Sequence, residues 1–549
     1  MERTVVRDGT LWAMVQADLV FRNGRVFTAE TEMPFADAVA ISGGRVAAVG
    51  TTSDIEPYVG PGTDVVDLKG SLLTPGFTDA HVHVATSGLE QLRLTFGGCD
   101  TAADALAAMG RYAAEHRDEP WIIGGGWSQA WFERGCPDAL ALDSVVADRP
   151  ALITNSDGHG AWANSLALEI AGISARTEDP QDGRIERLPD GRPQGTLHEG
   201  AVALVQRHAP ENTVDDFARG VIRGQEEMLE YGITGWQEAA VNSAVQDAYL
   251  MVAASGRLVG DVVGALWWDR HQGMEQVHEM VGRREKSAPG FRPVSVKLML
   301  DGVAENFTAS LLDPYLDGAG RVTANTGIDF IDPEELKEIV TVLDRHDFQC
   351  HFHAVGDSAV RSALDAVEAA LSSNGLADNR HHIAHIQFVH PDDVPRFAQV
   401  RAIANAQPLW AYNDDYQTRL TRPFITKERD LWQYPFNSLL NAGAHLGMGS
   451  DWNVSSANVM EEIDVAIRRT GPEGGTPLGA DQSLTPVEAL TAFTIGSAFI
   501  NHSESSRGSL SAGKQADLVV FDRDPFLDAG FGDARVSMTV VSGEVVYED

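Results

Sequence analysis

The chain has almost no cysteine. Its three residues in 549, Cys99, Cys136 and Cys350, are odd in number and far apart. Such a set builds no disulfide framework and fits a reducing, cytoplasmic setting. Positive charge is also scarce: 42 Lys and Arg stand against 79 Asp and Glu, a formal net charge of −37 at pH 7. Nucleic acid and anionic membrane surfaces both require the opposite sign, so neither is an expected partner. Long apolar runs are missing too. No stretch approaches the ~20 residues of a membrane span. The N-terminus, MERTVVRDGTLWAMVQ, lacks a signal peptide's apolar block and cleavage site. What is present is a 43% hydrophobic composition, enough for a large core and for more than one domain.

Both ends read as β structure. LVFRNGRVF (19–27) places Asn23-Gly24 between two apolar strands, which predicts a two-residue hairpin. VAISGGRVAAVG (39–50) predicts another at Gly43-Gly44, and MTVVSGEVVYED (538–549) a third at Ser542-Gly543. Neither end alone supplies a stable sandwich. Segments 15–73 and 505–549 are therefore expected to share one small β-sandwich, with residues 1–14 as an extension.

Between them, short apolar strands alternate with helical patterns, as in βα units around a parallel sheet. IDPEELKEIVTVLDRH (331–346) predicts a helix, with Asp332 as N-cap, Pro333 at the first turn, and Leu336, Ile339, Val340 and Leu343 on one face. Thr485 and Glu488 predict a capping box before a second helix. Eight strands can be counted: 76–82, 232–238, 261–267, 294–300, 348–354, 381–387, 402–408 and 445–451. They predict an α/β fold, a (β/α)8 barrel over 74–504. The span of about 88–230, between the first two strands, is too long for a loop and reads as an inserted subdomain.

The stretch GFTDAHVHV (76–84) ends the first strand with His81 and His83 two residues apart, after Asp79. His-x-His alone decides little, because 17 histidines in 549 residues give about half an occurrence by chance. Alternation in a strand sets Asp79, His81 and His83 on one face. A barrel's active site lies at its strands' C-terminal ends, and later strand ends carry matching chemistry. Strand 4 has Lys297, strand 5 His353, strand 6 His385 and strand 8 Asp451. Imidazole nitrogen with carboxylate oxygen is the donor set of a zinc-like ion. His351 faces the same way as His353 but lower, and His381 and His382 neighbour His385, so the nearer-mouth and deeper-lying histidines are preferred. Lys297 is either an ion-paired lysine or, as an uncharged amine, a carbamate former.

These residues lie in motifs that resemble the amidohydrolase superfamily. Within it they resemble the branch of N-substituted-formamide-deformylase-like metal-dependent hydrolases. The motifs are TPGFTDAHVH (74–83), VKLMLDG (296–302), HAVGD (353–357), HIAHIQ (382–387), GMGSDWNV (447–454) and GSLSAGKQADLVVFDRDP (508–525). GGGW (124–127) and DGHGAWANS (157–165) of the insertion resemble the same branch. Asn453 and the stretch VAENFTAS (303–310) depart from its pattern. The resemblance implies His81, His83 and Asp451 on one metal and His353 and His385 on a second, with carboxylated Lys297 bridging two divalent ions, zinc by preference. It implies cleavage of a non-peptide C–N bond in a small molecule, an amide or N-substituted formamide, by metal-activated hydroxide with Asp451 as acid and base. A homodimer is an expectation of the same kind. Trp127, His159, Trp410, Tyr412 and Trp452 are expected substrate contacts; Trp131 and Trp162 read equally as subdomain core. Two other readings stay open: a mononuclear deaminase-like enzyme with unmodified Lys297, and a non-catalytic scaffold.

Overall fold

The computed structural model describes residues 4–7, 10–13, 16–528 and 530–549. Eight parallel strands follow one another around a nearly closed barrel, each hydrogen-bonded to its neighbours in chain order. They are β1 (Phe77–Val82), β2 (Ile233–Val241), β3 (Asp261–Trp267), β4 (Phe291–Met299), β5 (Gln349–Ala354), β6 (His382–His385), β7 (Ile403–Ala406) and β8 (Leu446–Met448). All eight fall within or across the predicted segments. β6, β7 and β8 are shorter than expected, and β6 ends where His385 (φ 76°) and Ile386 (φ 44°) leave extended geometry. Between β1 and β8 no ladder forms. The seam is bridged instead: Asp451 N donates to His81 O at 2.8 Å, and Asn405 Nδ2 to Ala80 O at 2.9 Å.

The barrel's helices pack outside it. The predicted helix is Pro333–Arg345, capped by Asp332 Oδ1, which accepts from Glu334 N and Glu335 N. Its Leu336, Ile339, Val340 and Leu343 are buried in the main core. The Thr485–Glu488 capping box is also present. No helix is long and apolar enough to cross a membrane among the described residues.

The terminal segments form two sheets. One has four strands, Arg45–Gly50, Ala38–Ser42, Leu19–Arg22 and Asp64–Asp67 in spatial order. The other has six, taken from both ends of the chain, with Leu518–Phe521 between Val536–Val541 and Leu72–Pro75. Phe21, Val39 and Ile41 of the first share a buried cluster with Val26, Leu73, Leu518 and Val540 of the second. The hairpins at Gly43-Gly44 and Ser542-Gly543 form as expected. The Asn23-Gly24 hairpin does not. Leu19–Arg22 pairs in the four-stranded sheet and Arg25–Phe27 in the six-stranded one. The two residues form a corner between sheets, with Asn23 at φ 62°. Thr4–Arg7 pairs with Thr10–Ala13; residues 1–3, 8, 9 and 14 of the expected extension lie outside the described residues.

A further six-stranded sheet spans Leu94–Thr95 to Pro193–Glu199, between β1 and β2. The helix after it does not belong with it, although the span 88–230 included it. This helix, α2 (Val214–Glu230), buries Phe217, Val221 and Met228 in the barrel's core and crosses α1 (Val84–Gln91). The crossing is backbone on backbone. A Cβ on Gly88 would lie 2.0 Å from Gly220 O, and one on Gly224 2.5 Å from Val84 O. Gly88→Ala is therefore expected to push the helices apart and to destabilise the fold by about 1–3 kcal/mol, measured as a lower urea midpoint at unchanged slope.

Candidate functional site

The six side chains expected to form a metal centre meet at the C-terminal mouth of the barrel. His81 Nε2 and His83 Nε2 each lie 3.3 Å from Asp451 Oδ1. Lys297 Nζ lies 3.4 Å from His81 Nε2, and His385 Nδ1 3.9 Å from Asp451 Oδ2. The His353 and His385 rings are 4.4 Å apart. His83 stands just past β1, at the start of α1, where its N–H donates to Trp452 O at 3.1 Å. His385 and Asp451 sit at positive φ, a geometry that costs a non-glycine residue roughly 1 kcal/mol and here turns both side chains inward.

Partners below the mouth fix these groups. Asp79, fully buried, accepts from His81 N (3.0 Å), Ser450 N (3.0 Å) and Ser450 Oγ (2.6 Å). His351 lies one layer down, and its Nε2 sits 2.7 Å from His81 Nδ1, leaving His81 Nε2 to face Asp451. His382 is held between Gln237 and Asn405. Asp301 lies 3.3 Å from His353 Nδ1 and accepts from Val355 N, Gly356 N and Ser310 N.

Burial sets the charges. It drives His351, His353 and His385 far below the usual imidazole range, with help from neighbouring cations, and takes His81 to about 3. Burial also takes Lys297 down to about 7. For Asp451 burial opposes ionisation, but the surrounding imidazoles of His81, His83 and His385 outweigh it and hold the carboxyl well below its usual range. Neutral imidazoles, an ionised carboxylate and a readily neutralised amine are the protonation states of metal ligands. His353 Nε2 and both ring nitrogens of His385 are buried without a hydrogen-bond partner among the described residues, and His353 Nδ1 and Asp451 Oδ1 have only the contacts at 3.3 Å, too poorly aligned for hydrogen bonds. Orphaned buried polar atoms are costly, and a divalent cation satisfies this donor set.

The expected substrate contacts divide. Trp410 stacks on His385, centroids 4.9 Å apart and planes 4° from parallel. With Tyr412 it lines a cavity of about 350 Å³ at the mouth. Trp127 and Trp452 do not reach it. Trp127 is fully buried in the insertion's own core against Trp162 and Phe132, its N–H donating to Ile153 O at 2.8 Å. Trp452 is buried in the barrel core. Trp162 is core as well. Of the two departures from the motif pattern, the stretch 303–310 contributes Val303 and Glu305 to the cavity. Asn453 instead bonds Ser87 and Glu90.

His159 enters from the insertion, its ring 5.1 Å from that of His353. Its Nδ1 lies 2.9 Å from Glu199 Oε2. Burial opposes a charge on His159, but Glu199 and Asp157 outweigh it and push the imidazole up to about 9. Glu199 and Asp301 are partners the sequence reading missed. Glu199 follows His198 in LHEG, and Asp301 lies in the VKLMLDG motif that carries Lys297, which is the signal that was there.

A family model described as "Amidohydrolase family" matches residues 64–547. Protein LONG AFTER FAR-RED 3 of Arabidopsis thaliana is 31% identical over 549 residues, covering 97% of this chain and 92% of the plant protein. N-substituted formamide deformylase of Arthrobacter pascens is 27% identical, over 97% of this chain and 98% of its own. Among solved structures, an uncharacterized metal-dependent hydrolase from Pyrococcus horikoshii OT3 superposes with a TM-score of 0.72 at 24% identity. That match covers 94% of this chain and 99% of the other.

The His159–Glu199 pair gives a pH-dependent stability. A group raised from 6.5 to about 9 on folding contributes fully below the unfolded value and loses its contribution as pH rises through the folded one. The Tm difference between the wild type and His159→Gln is expected to be largest below pH 6.5 and to shrink by about pH 9, read by thermal scans across that range.

Proposed function

The chain belongs to the amidohydrolase family of metal-dependent hydrolases acting on carbon–nitrogen bonds, and on that premise we propose that it cleaves an amide or N-substituted formamide of a small molecule. The observation that carries this reading is the set of buried, unpartnered imidazole nitrogens on His353 and His385, facing the Asp451 carboxylate. His81, His83 and Asp451 would hold one ion and His353 and His385 a second, with Lys297 between them as a carbamate. Zinc suits imidazole and carboxylate donors. Carbamate formation needs an uncharged amine, and burial favours that form of Lys297. Addition of carbon dioxide to the amine releases one proton and leaves an anionic oxygen ligand.

A divalent cation in this cradle lowers the pKa of water from 15.7 to roughly 7 and polarises a carbonyl oxygen. The chain's own residues do the rest. Asp451 accepts the proton of the attacking water and delivers it to the departing nitrogen, which leaves poorly without it. His159, kept protonated by Glu199, stands beside His353 as a donor to the oxygen on which negative charge develops. Trp410 and Tyr412 wall the space for the nitrogen substituent. The terminal segments 15–73 and 505–549 are read as one β-sandwich domain, and the sheet between β1 and β2 as a subdomain that brings His159 to the barrel.

A mononuclear centre is the second reading. Among the described residues at this mouth, only His81, His83 and Asp451 have ligand atoms all within 4.8 Å of one another. Metal analysis separates the two. About two equivalents of zinc per chain are expected, falling to about one in Lys297→Ala, and 13C-bicarbonate is expected to give a carbamate resonance that this variant lacks. One equivalent in the wild type, with no carbamate signal, selects the mononuclear site. Asp451→Asn is expected to lower kcat on formamides on the order of 10³-fold or more with little change in Tm. Wild-type turnover in that variant would remove Asp451 from proton transfer.

A further inference from the structure

The cavity beside His385 is walled by carboxylates and aromatic rings. Asp157, Glu305, Asp414 and Glu461 line it, with Trp410, Tyr412, Tyr416 and Tyr434 between them. No Lys, Arg or His is among its lining residues. The carboxylates are held by neutral donors: Glu305 by Thr421 Oγ1 (2.7 Å), Asp414 by Gln417 N (2.8 Å), Asp157 by His159 N (2.8 Å) and Glu461 by Asn458 Nδ2 (3.0 Å). No ion pair joins any of the four to Lys or Arg among the described residues. The charged His159 lies beside Asp157 and is shared with Glu199. Burial first, and then the charges of Asp157 and Asp414, push Glu305 up to about 7; burial and Asp415 push Asp414 up to about 6. Carboxylates are crowded here, and Glu305, Asp414 and Glu461 have no Lys or Arg partner among the described residues.

A second observation concerns hydrogen bonding. Gln417 lines the same cavity and is 3% exposed, and its Oε1 has no partner among the described residues. The wall therefore offers acceptors, negative charge and π faces, and no cationic side chain. Ammonium groups complement all three. A bare metal ion does not, since the four carboxylates do not form a cluster with oxygens within 4.8 Å of one another. An N-acyl amino acid would bring a fifth carboxylate into the cavity.

We propose that this cavity recognises the substrate's nitrogen substituent as an organic cation, so that the preferred substrates are amides or formamides of diamines and other amines bearing a second, positively charged nitrogen. This rests on the reading of the chain as a C–N hydrolase and names the substrate class of the same site. The Trp410 ring, stacked on His385, joins the cation's compartment to the metal-ligand cluster. The scissile carbonyl lies on the histidine side and the ammonium group among the carboxylates.

Binding of fragments to the metal-loaded protein tests this without turnover. Choline and 3,3-dimethylbutan-1-ol match in shape and differ in charge. Calorimetry is expected to show choline bound roughly tenfold tighter or more. Glu305→Gln and Asp414→Asn are each expected to cut that preference at least about threefold while leaving affinity for the neutral alcohol in place. Equal affinities, no measurable choline binding, or a preference untouched by both variants overturns the proposal. A hydrolysis arm compares kcat/KM for N-formyl-1,4-diaminobutane and N-pentylformamide. Hydrolysis of both at equal efficiency overturns the cavity's role and leaves the C–N hydrolase standing. A choline preference with no amide cleaved supports the cation cavity and sinks the hydrolytic reading instead.

Discussion

The seam between β1 and β8 carries the site. The first and last of the proposed ligands, His81 and Asp451, are 370 residues apart in number and become neighbours only where the barrel closes. Closure there is not made by a strand ladder. It is made by Asp79, which takes the N–H of His81 on β1 and the N–H and hydroxyl of Ser450, just past the end of β8. Asp451 N returns the connection to His81 O. A buried carboxylate with three donors is satisfied only if all of them arrive together. The same contacts that shut the barrel thus set the distance between His81, His83 and Asp451. Gly449 belongs to this arrangement, since a Cβ there would lie 2.4 Å from His81 N.

Low polarity at the mouth then does electrostatic work. The rings of His81, His351, His353, His385 and Trp410 pack one against another beside Asp451 and Lys297, which are both buried. An isolated charge there is expensive, so imidazoles stay neutral and the amine sheds its proton easily. His159 is the exception, because its charge is matched by Glu199 before it reaches the site. The result is an array of lone pairs facing inward with one protonated imidazole beside it.

Much of this was legible in the sequence, and the rest fails for definable reasons. Eight short apolar strands between helical patterns sufficed for the barrel, because burial on both faces writes a continuous apolar run. The gathering of His81, His83, Lys297, His353, His385 and Asp451 at the strand ends followed from the same strand count. Asn23-Gly24 misled because a turn signal encodes local dihedral angles and not which sheet the next strand joins. Trp127 and Trp410 look alike along the chain; only packing places one in the insertion's core and the other against His385. The helix at 214–230 was assigned to the insertion because the chain returns to the barrel there without a break in composition. Its glycines, Gly220 and Gly224, mark the return, but they have meaning only beside Gly88. Glu305 and Asp414 were indistinguishable from the many other acids of so acidic a chain until the cavity gave them a common wall.

The insertion cannot be a cover that merely rests on the barrel. Thr308 Oγ1 donates to Glu199 Oε1 at 2.8 Å, Gln129 Nε2 to Asn306 Oδ1 at 2.8 Å, and Arg184 Nη1 to Asn306 O at 2.9 Å. All three tie it to the loop after β4, the strand that carries Lys297. Tyr416, in the segment after β7, closes the other side, its hydroxyl 3.0 Å from Ser156 Oγ and accepting from Gln129 N. Glu199 therefore has two tasks on one carboxylate, charging His159 and pinning the β4 loop. Any movement that lifts the insertion breaks the second contact and carries the first away intact, because His159 and Glu199 both belong to the insertion. Docking of the insertion therefore delivers the protonated imidazole to the mouth, and the carboxylate that pins the β4 loop is the one that holds its proton.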